Sequence, residues 1–513
     1  MGALRVWLGV ACLAAACGKG TSADRPNGRL DGGTLSDGGP SDGGGPSSIG
    51  PLGETRWTPL FDASLSHFYR WLPSTGRNND PQGVFRMEDD TLHVLGLPPT
   101  DETKDFGYLA TLEDFGNYRA RVEQKWGTET FAPRKDEPRD TGLLYHVRGQ
   151  DEIWPQCLEF QIMEHNTGDL WMLSGTGVTA RVDQGSEPTF DPLGDPASFR
   201  AGRVIRSSEA ESLTDWNTLE LIASGRESAQ IVNGTWVNEA TAIEADNGDG
   251  WGGLSHGALA LQAEGAETFF RSLEVRPLAY LPPPDGAVVL YDGSGLDAWQ
   301  HRDGGKADWN VTDEGAMEVV PFAGDLFTRQ THGDVRLHLE FQVPATATDQ
   351  NPEDRGNSGV YFQGRYEVQI LDTFGRDAGT VDCGAIYGVR APTVNEAFPP
   401  GIWQSFDVIF RAPTWDGGTK ATPARMTVVW NGSVVQEDVE VPGPTRLGDP
   451  EGPDAGPIRL QDHWNKVRYR NIWIQPLGPE GVDGGIVDGG TDGGTDGGMD
   501  EGDAGVDAGS DGG

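Results

Sequence analysis

The chain has 513 residues and a formal net charge of −40, with 79 Asp and Glu against 39 Lys and Arg. A chain this acidic has no basic patch to overcome repulsion from a phosphate backbone, which argues against a nucleic-acid partner. Its length accommodates two to four domains. Its four Cys are too few and too scattered for a disulfide framework or a thiolate metal site.

Residues 1–17 read as an export signal: one Arg, an apolar run over 6–16 too short to span a bilayer, then Ala14-Ala15-Ala16-Cys17. Small residues before a Cys resemble a bacterial lipobox, with Cys17 as the lipidated residue. The alternative is an ordinary signal peptide cut near Ala16. Residues 18–51 are Gly, Ser, Asp and Pro, a tether that cannot bury enough surface to fold. Residues 478–513 iterate Asp-Gly-Gly as an acidic tail without the loop spacing of a calcium motif.

Between these ends an internal repeat runs at an offset near 200 residues. Leu158-Glu-Phe-Gln-Ile-Met163 returns as Tyr366-Glu-Val-Gln-Ile-Leu371, and Ala260-Leu-Gln-Ala-Glu264 as Arg459-Leu-Gln-Asp-His463. Asn233-Gly234 returns as Asn431-Gly432, the dipeptide that tolerates the positive φ of a tight hairpin. The reading is two homologous domains, 52–278 and 286–477, joined by a Pro-rich linker over 279–285. Alternation is strong, as in Val335-Arg-Leu-His-Leu-Glu-Phe-Gln-Val343, and long amphipathic helices are absent. Each domain is therefore expected to be an all-β sandwich or jelly roll, in which one concave sheet offers its outward residues to a ligand. Most of the 16 Trp, Trp403 and Trp430 among them, are expected in the β cores, and Cys157 and Cys383 as small buried hydrophobes.

In the stretch 355–372, Tyr366, Val368 and Ile370 point one way and Glu367, Gln369 and Leu371 the other. This predicts a strand with one packed and one wet face, with Arg355, Asn357 and Asp372 at its ends.

Gly356-Asn-Ser-Gly-Val-Tyr361, Tyr366-Glu-Val-Gln-Ile-Leu-Asp372, Cys383-Gly-Ala-Ile-Tyr387 and the segment from Gly456 to Leu477 closely resemble the 3-keto-disaccharide hydrolase family. Residues 52–278 resemble a second, more divergent member. The resemblance implies two tandem concanavalin A-like jelly-roll sandwiches of the lectin/glucanase type. It also implies cleavage of 3-keto-glucosides by elimination and then hydration. Such a reaction needs a general base, a stabiliser for an enolate and an acid for the leaving group. It does not use the carboxylate pair of ordinary glycosidases.

On that basis Glu367, His463 and Arg355 are the catalytic candidates. Gln369, Asn357, Asp372, Glu159 and Gln161 are the substrate-binding candidates, with Asp462 a weaker carboxylate. No cofactor is certain; a divalent cation held by Glu367 and His463 is one option. In the N-terminal copy Glu159 and Gln161 repeat the pair, Glu264 stands near the place of His463, and Glu164 replaces Asp372 with His165 following. That copy reads either as a second catalytic unit of altered specificity or as a carbohydrate-binding module. For the whole chain the readings are an envelope enzyme, a lectin-like surface lipoprotein or a structural envelope protein. The sequence carries no dinucleotide fingerprint, so the enzyme reading requires a separate sugar 3-oxidoreductase. Contact with the membrane is expected only through the lipid anchor.

Overall fold

The computed structural model describes residues 49–95, 106–346 and 351–478. The signal, the lipidation candidate Cys17, most of the tether and nearly all of the acidic tail lie outside them. Apart from one 3-10 turn, Pro352–Asp354, the named elements are β-strands, and their pairing is antiparallel throughout. The chain forms two tandem jelly-roll β-sandwiches of the concanavalin A-like type, as the sequence predicts.

Each sandwich has a larger sheet and a smaller one. In the C-terminal copy the larger sheet is centred on Val335–Gln342, flanked by Arg468–Pro476 and Gln404–Arg411. The smaller has five strands, in the order Trp299–Gln300, Leu326–Thr328, Arg459–Leu460, Ser358–Phe362 and Tyr366–Ile370. The alternation of Val335–Gln342 puts Leu337, Leu339 and Phe341 into the core, where they meet Val360, Val368 and Leu460 from the facing sheet. Fully burying each such side chain contributes about 1.5–3 kcal/mol. In the N-terminal copy the same positions are held by Val122, Leu143, Phe160 and Leu261. Asn233-Gly234 and Asn431-Gly432 form the expected hairpins, with φ of 49° and 79° in one and 48° and 85° in the other.

The larger sheets of the two copies face each other across a mixed seam. Ile222, Ile231 and Leu278 pack on Phe398 and Ile402, while Glu396 accepts from Arg119 at 3.1 Å and from Arg276 at 3.3 Å. The linker is fixed to the C-terminal copy, because the Leu281 carbonyl accepts from Asn471 at 2.9 Å and Trp473 at 3.1 Å. This arrangement leaves the smaller sheets, which carry the candidate residues, on the faces away from the seam. Cys157 and Cys383 are both free and buried, so no bridge joins the halves. Trp430 and Trp403 are buried.

Candidate functional site

The outer face of the five-stranded sheet holds the site. Tyr366, Val368 and Ile370 enter the core, which turns Glu367 and Gln369 outward. The face is not wet, however, and this differs from the one-sided solvated strand that alternation suggests. Glu367 is 3 % exposed and Gln369 2 %. The 383–387 segment runs along the free edge of the strand, with Tyr387 N–H donating to Glu367 O at 3.1 Å and Gln369 N–H to Ala385 O at 3.0 Å. Thr445, from a second loop, accepts the Glu367 amide at 3.0 Å. Loops thus roof the strand and leave a cleft of about 170 Å³.

Glu367, Gln369, Asn357 and His463 all line this cleft, together with Tyr361, Gln461, Tyr387, Arg446 and Leu447. Tyr361 is paired in register with Glu367 on one side and Arg459 on the other. On the partner strand Gly359 faces Gln369, and any Cβ there would collide with the Glu367 carboxylate. With its nitrogen turned inward, the Gln369 amide donates to Glu367 Oε1 at 3.0 Å and to the Ser358 carbonyl at 2.9 Å. Asn357 is held by its side-chain N–H to the Glu353 carbonyl. His463 reaches the cleft from the turn after Arg459–Leu460, and its Nδ1 is buried with no partner among the described residues.

Burial pushes the Glu367 carboxyl up to about 8. The Tyr361 hydroxyl bond and the Arg459 charge counter this in part, and Asp325 adds to it. Burial and the adjoining carboxylate also raise the Tyr361 phenol, so it stays a neutral donor. Arg459 stacks over the Tyr361 ring at 4.2 Å and pairs with Asp325 at 2.6 Å, which fixes the phenol from behind.

Three sequence candidates, Arg355, Asp372 and Asp462, sit elsewhere. Arg355 pairs with Asp372 at 2.8 Å, and neither lines the cleft; the Asp372 amide donates to the Arg355 carbonyl, so the pair buckles the two ends of the hairpin. Asp462 accepts from Gly324 N–H and Trp464 N–H, both at 2.9 Å, and braces a turn. The sequence reading passed over Tyr361, Arg459, Gln461, Tyr387 and Arg446. A signal for the first two was present: aligning the repeats sets Tyr361 against Leu144 and Arg459 against Ala260.

In the N-terminal copy the equivalent face is filled. Leu144 and Ala260 join Tyr69, Tyr108 and Ala110 in a separate apolar cluster, which Asp151 covers by accepting from Tyr69 at 3.0 Å and Tyr108 at 2.9 Å. Beside it Arg134 inserts between Asp140 and Glu264, at 2.6 Å from each. Gln161 donates to Asp140 at 2.8 Å, while Glu159 Oε1 and both amide atoms of Gln262 are buried without partners. Burial, and the neighbouring carboxylates, hold Glu159 and Glu264 well above the usual range; burial lifts Asp140 to about 7 against the pull of Arg134. His165 does not join this group, since it is paired with Glu209 at 2.7 Å on the surface. Arg139–Glu164, at 2.6 Å, repeats the Arg355–Asp372 buckle. Among the described residues no three His, Cys, Asp or Glu side chains gather as a metal-binding group in either copy. Of the His and acidic residues lining the cleft, Glu367, His463, Glu353 and Asp354, no three gather closely enough to hold a metal ion.

The model of the 3-keto-alpha-glucoside-1,2-lyase-like domain matches residues 56–276 and again 286–475. The chain belongs to this family. Both copies of the family domain are therefore present, and the site just described lies in the second. A candidate glycosyl hydrolase from Parabacteroides distasonis is 39 % identical, with a TM-score of 0.36, over 38 % of this chain and 85 % of its own. A second from the same organism is 16 % identical, with a TM-score of 0.27, over 44 % of this chain and all of its own. The Bacillus licheniformis β-glucanase is 10 % identical, with a TM-score of 0.28, over 44 % and 98 %. A comparison with curated proteins gives no match. The family places the chain among glycosyl-hydrolase-like, carbohydrate-active proteins.

Proposed function

We propose that the C-terminal sandwich cleaves 3-keto-glucosides by elimination followed by hydration. The observation that carries this reading is the in-register pair Tyr361–Glu367 at the floor of the cleft, with His463 at its edge. A 3-ketone acidifies the proton on C2. Glu367, buried and lifted to about 8, is matched to remove that proton near neutral pH. The electron pair moves onto the carbonyl oxygen as an enolate, which a neutral Tyr361 hydroxyl stabilises by donating a hydrogen bond. Collapse of the enolate breaks the C1–O bond, and His463 protonates the departing oxygen. Water then adds across the C1–C2 double bond, returning a proton to C2 and hydroxide to C1, so the sum is hydrolysis. Gln369, Gln461 and Asn357 hydrogen-bond the ring hydroxyls, and Arg446 stands in the lining with the acidic Glu353 and Asp354.

The matching face of the N-terminal copy has lost the phenol and is occupied by its own side chains, which supports a non-catalytic role for it. Secretion through residues 1–17 and anchoring at Cys17 put the activity at the cell envelope. A separate oxidoreductase that makes the 3-ketone supplies the substrate.

The test is turnover of a 3-keto-glucoside in D₂O. Elimination and rehydration carry deuterium from solvent to C2 and pass through a conjugated enone visible in the ultraviolet. Released aglycone with no deuterium at C2 means another mechanism. Tyr361→Phe is expected to slow turnover by roughly 10²-fold, the usual value of one enolate donor. Binding of the sugar without any turnover would favour the lectin reading.

A further inference from the structure

Three of the most exposed large apolar side chains gather around the cleft: Phe322 at 79 %, Leu447 at 65 % and Trp464 at 59 % exposed. Leu447 lines the cleft itself. Trp464 follows His463, and its ring centre lies 4.9 Å from that of the lining imidazole. Phe322 stacks on Trp464 at 5.8 Å with 24° between the rings. All three adopt left-handed backbone, with φ of 71°, 63° and 66°. Non-glycine residues avoid this region, and clusters of them mark functional sites.

The repeat shows that the conformation does not require these side chains. Trp464 follows His463 as Gly265 follows Glu264, and Gly265 has φ of 87°. Glycine takes that turn at no steric cost, whereas the second copy places an exposed indole there. The turn is also built to hold the indole. Asp462 accepts from both Trp464 N–H and Gly324 N–H, which ties the Phe322 loop to the Trp464 turn, and Asn465 clamps the turn through the His463 carbonyl at 2.8 Å.

We propose that Trp464, Phe322 and Leu447 form the subsite for the leaving group, and that it takes a planar aromatic aglycone. The inference rests on the reading of the cleft as a 3-keto-glucoside site and names its substrate class. Two near-parallel rings and a Leu offer stacking faces next to the imidazole that protonates the leaving oxygen. A second pyranose would stack its C–H face on a ring and direct its equatorial hydroxyls to the ring's edge, where the Phe322 and Leu447 side chains can neither donate nor accept. The Leu447 carbonyl already accepts from Arg459 at 2.8 Å.

The experiment compares phenyl and methyl 3-keto-glucosides of the same anomer on the full chain and on Trp464→Gly, a change the fold already accepts at Gly265. For the phenyl substrate kcat/KM is expected to fall roughly fivefold to tenfold, the value of one ring stack, while the methyl substrate changes less than twofold. Equal losses on both, or none on either, overturn the proposal. So does a larger loss on a 3-keto-disaccharide than on the phenyl glycoside, which assigns the platform to a sugar ring. A second readout does not need turnover: saturation-transfer NMR of unoxidised phenyl glucoside with both proteins. If no 3-keto-glucoside is turned over but Trp464→Gly still abolishes phenyl-ring saturation, the subsite stands and the lyase reading fails. Unchanged saturation overturns the subsite. Leu447→Gly, at a second left-handed position, is expected to reproduce the phenyl-selective loss.

Discussion

Glu159 and Glu367 occupy the same place on the same strand of two copies of one domain, and their surroundings set them apart. Around Glu367 the sheet offers a phenol in register, a Gln able to donate to the carboxyl, and open space. Around Glu159 the phenol is Leu144, the imidazole is Glu264, and Arg134 fills the space between the carboxylates. Both carboxyls are pushed up by burial. A raised carboxyl alone therefore does not distinguish a catalytic base from a buried ion cluster. The distinction lies in the partners: Glu367 faces a donor and a cleft, and Glu159 faces other acids.

The sharpest way to break the comparison is to remove each carboxylate in turn. Glu367→Gln is expected to lower kcat by about 10³-fold or more, at the upper end of what a positioned base contributes together with its site. Glu159→Gln is expected to leave turnover within twofold. Equal losses would mean that both copies catalyse.

Arg134 gives the largest effect on the other side. Arg134→Ala leaves buried carboxylates without their cation and is expected to cost about 3–5 kcal/mol in denaturant unfolding, with C-terminal turnover retained where the protein is folded. The sign with pH follows from Asp140, whose carboxyl burial pushes up to about 7 from its ordinary 3.8. A raised carboxyl favours folding below its unfolded value and loses that contribution as pH rises through the folded one. Without Arg134 the rise is greater, so the variant should lose more stability at pH 8 than at pH 5. A uniform loss at both would show that Arg134 acts by packing alone.

The same titration logic separates the copies in kinetics. With Glu367 near 8, it is largely protonated at pH 7 and cannot accept a proton until it ionises. The limb of the kcat/KM profile that Glu367 controls should therefore rise toward a midpoint near 8, and the need for a protonated His463 at the leaving oxygen closes the profile into a bell on the alkaline side. A rising limb left intact in Glu367→Gln would remove Glu367 as the base. Tyr361→Phe deletes a bond that favours the charged carboxylate, so it should move the midpoint upward.

Much of this contrast was legible in the sequence, for physical reasons that also mark where legibility ends. Period-two alternation fixes which way Glu367 and Gln369 point, and the repeat fixes that Glu159 and Gln161 point likewise. The convergence of Asn357 and His463 followed from motif position. Arg355 went to Asp372 instead of the cleft because alternation says nothing about the direction of a long side chain beyond the strand end. Tyr361 was hidden because a Tyr in a strand reads as core; only its pairing register with Glu367 sets it on the other face. The expected wet face is roofed by loops 383–387 and 443–449, whose placement no periodicity encodes. The exposed Trp464 runs against the core reading of the tryptophans because its turn, and not its chemistry, decides its exposure.

That turn also supplies the smallest and cleanest test. Gly265 and Trp464 share a left-handed conformation, so removing the glycine from one and introducing it at the other should give unequal effects on stability. Gly265→Ala puts a Cβ 3.3 Å from the Phe131 carbonyl and 3.4 Å from Arg134 Cβ, at φ of 87°. It is expected to cost about 1–2 kcal/mol, partly by disturbing Arg134. Trp464→Gly releases about 1 kcal/mol of backbone strain and gives up about as much to the greater freedom of glycine in the unfolded chain. Its melting temperature should therefore stay within a few degrees of the parent. A large destabilisation by Trp464→Gly would mean that the indole holds the turn together and is there for the fold and not for a ligand.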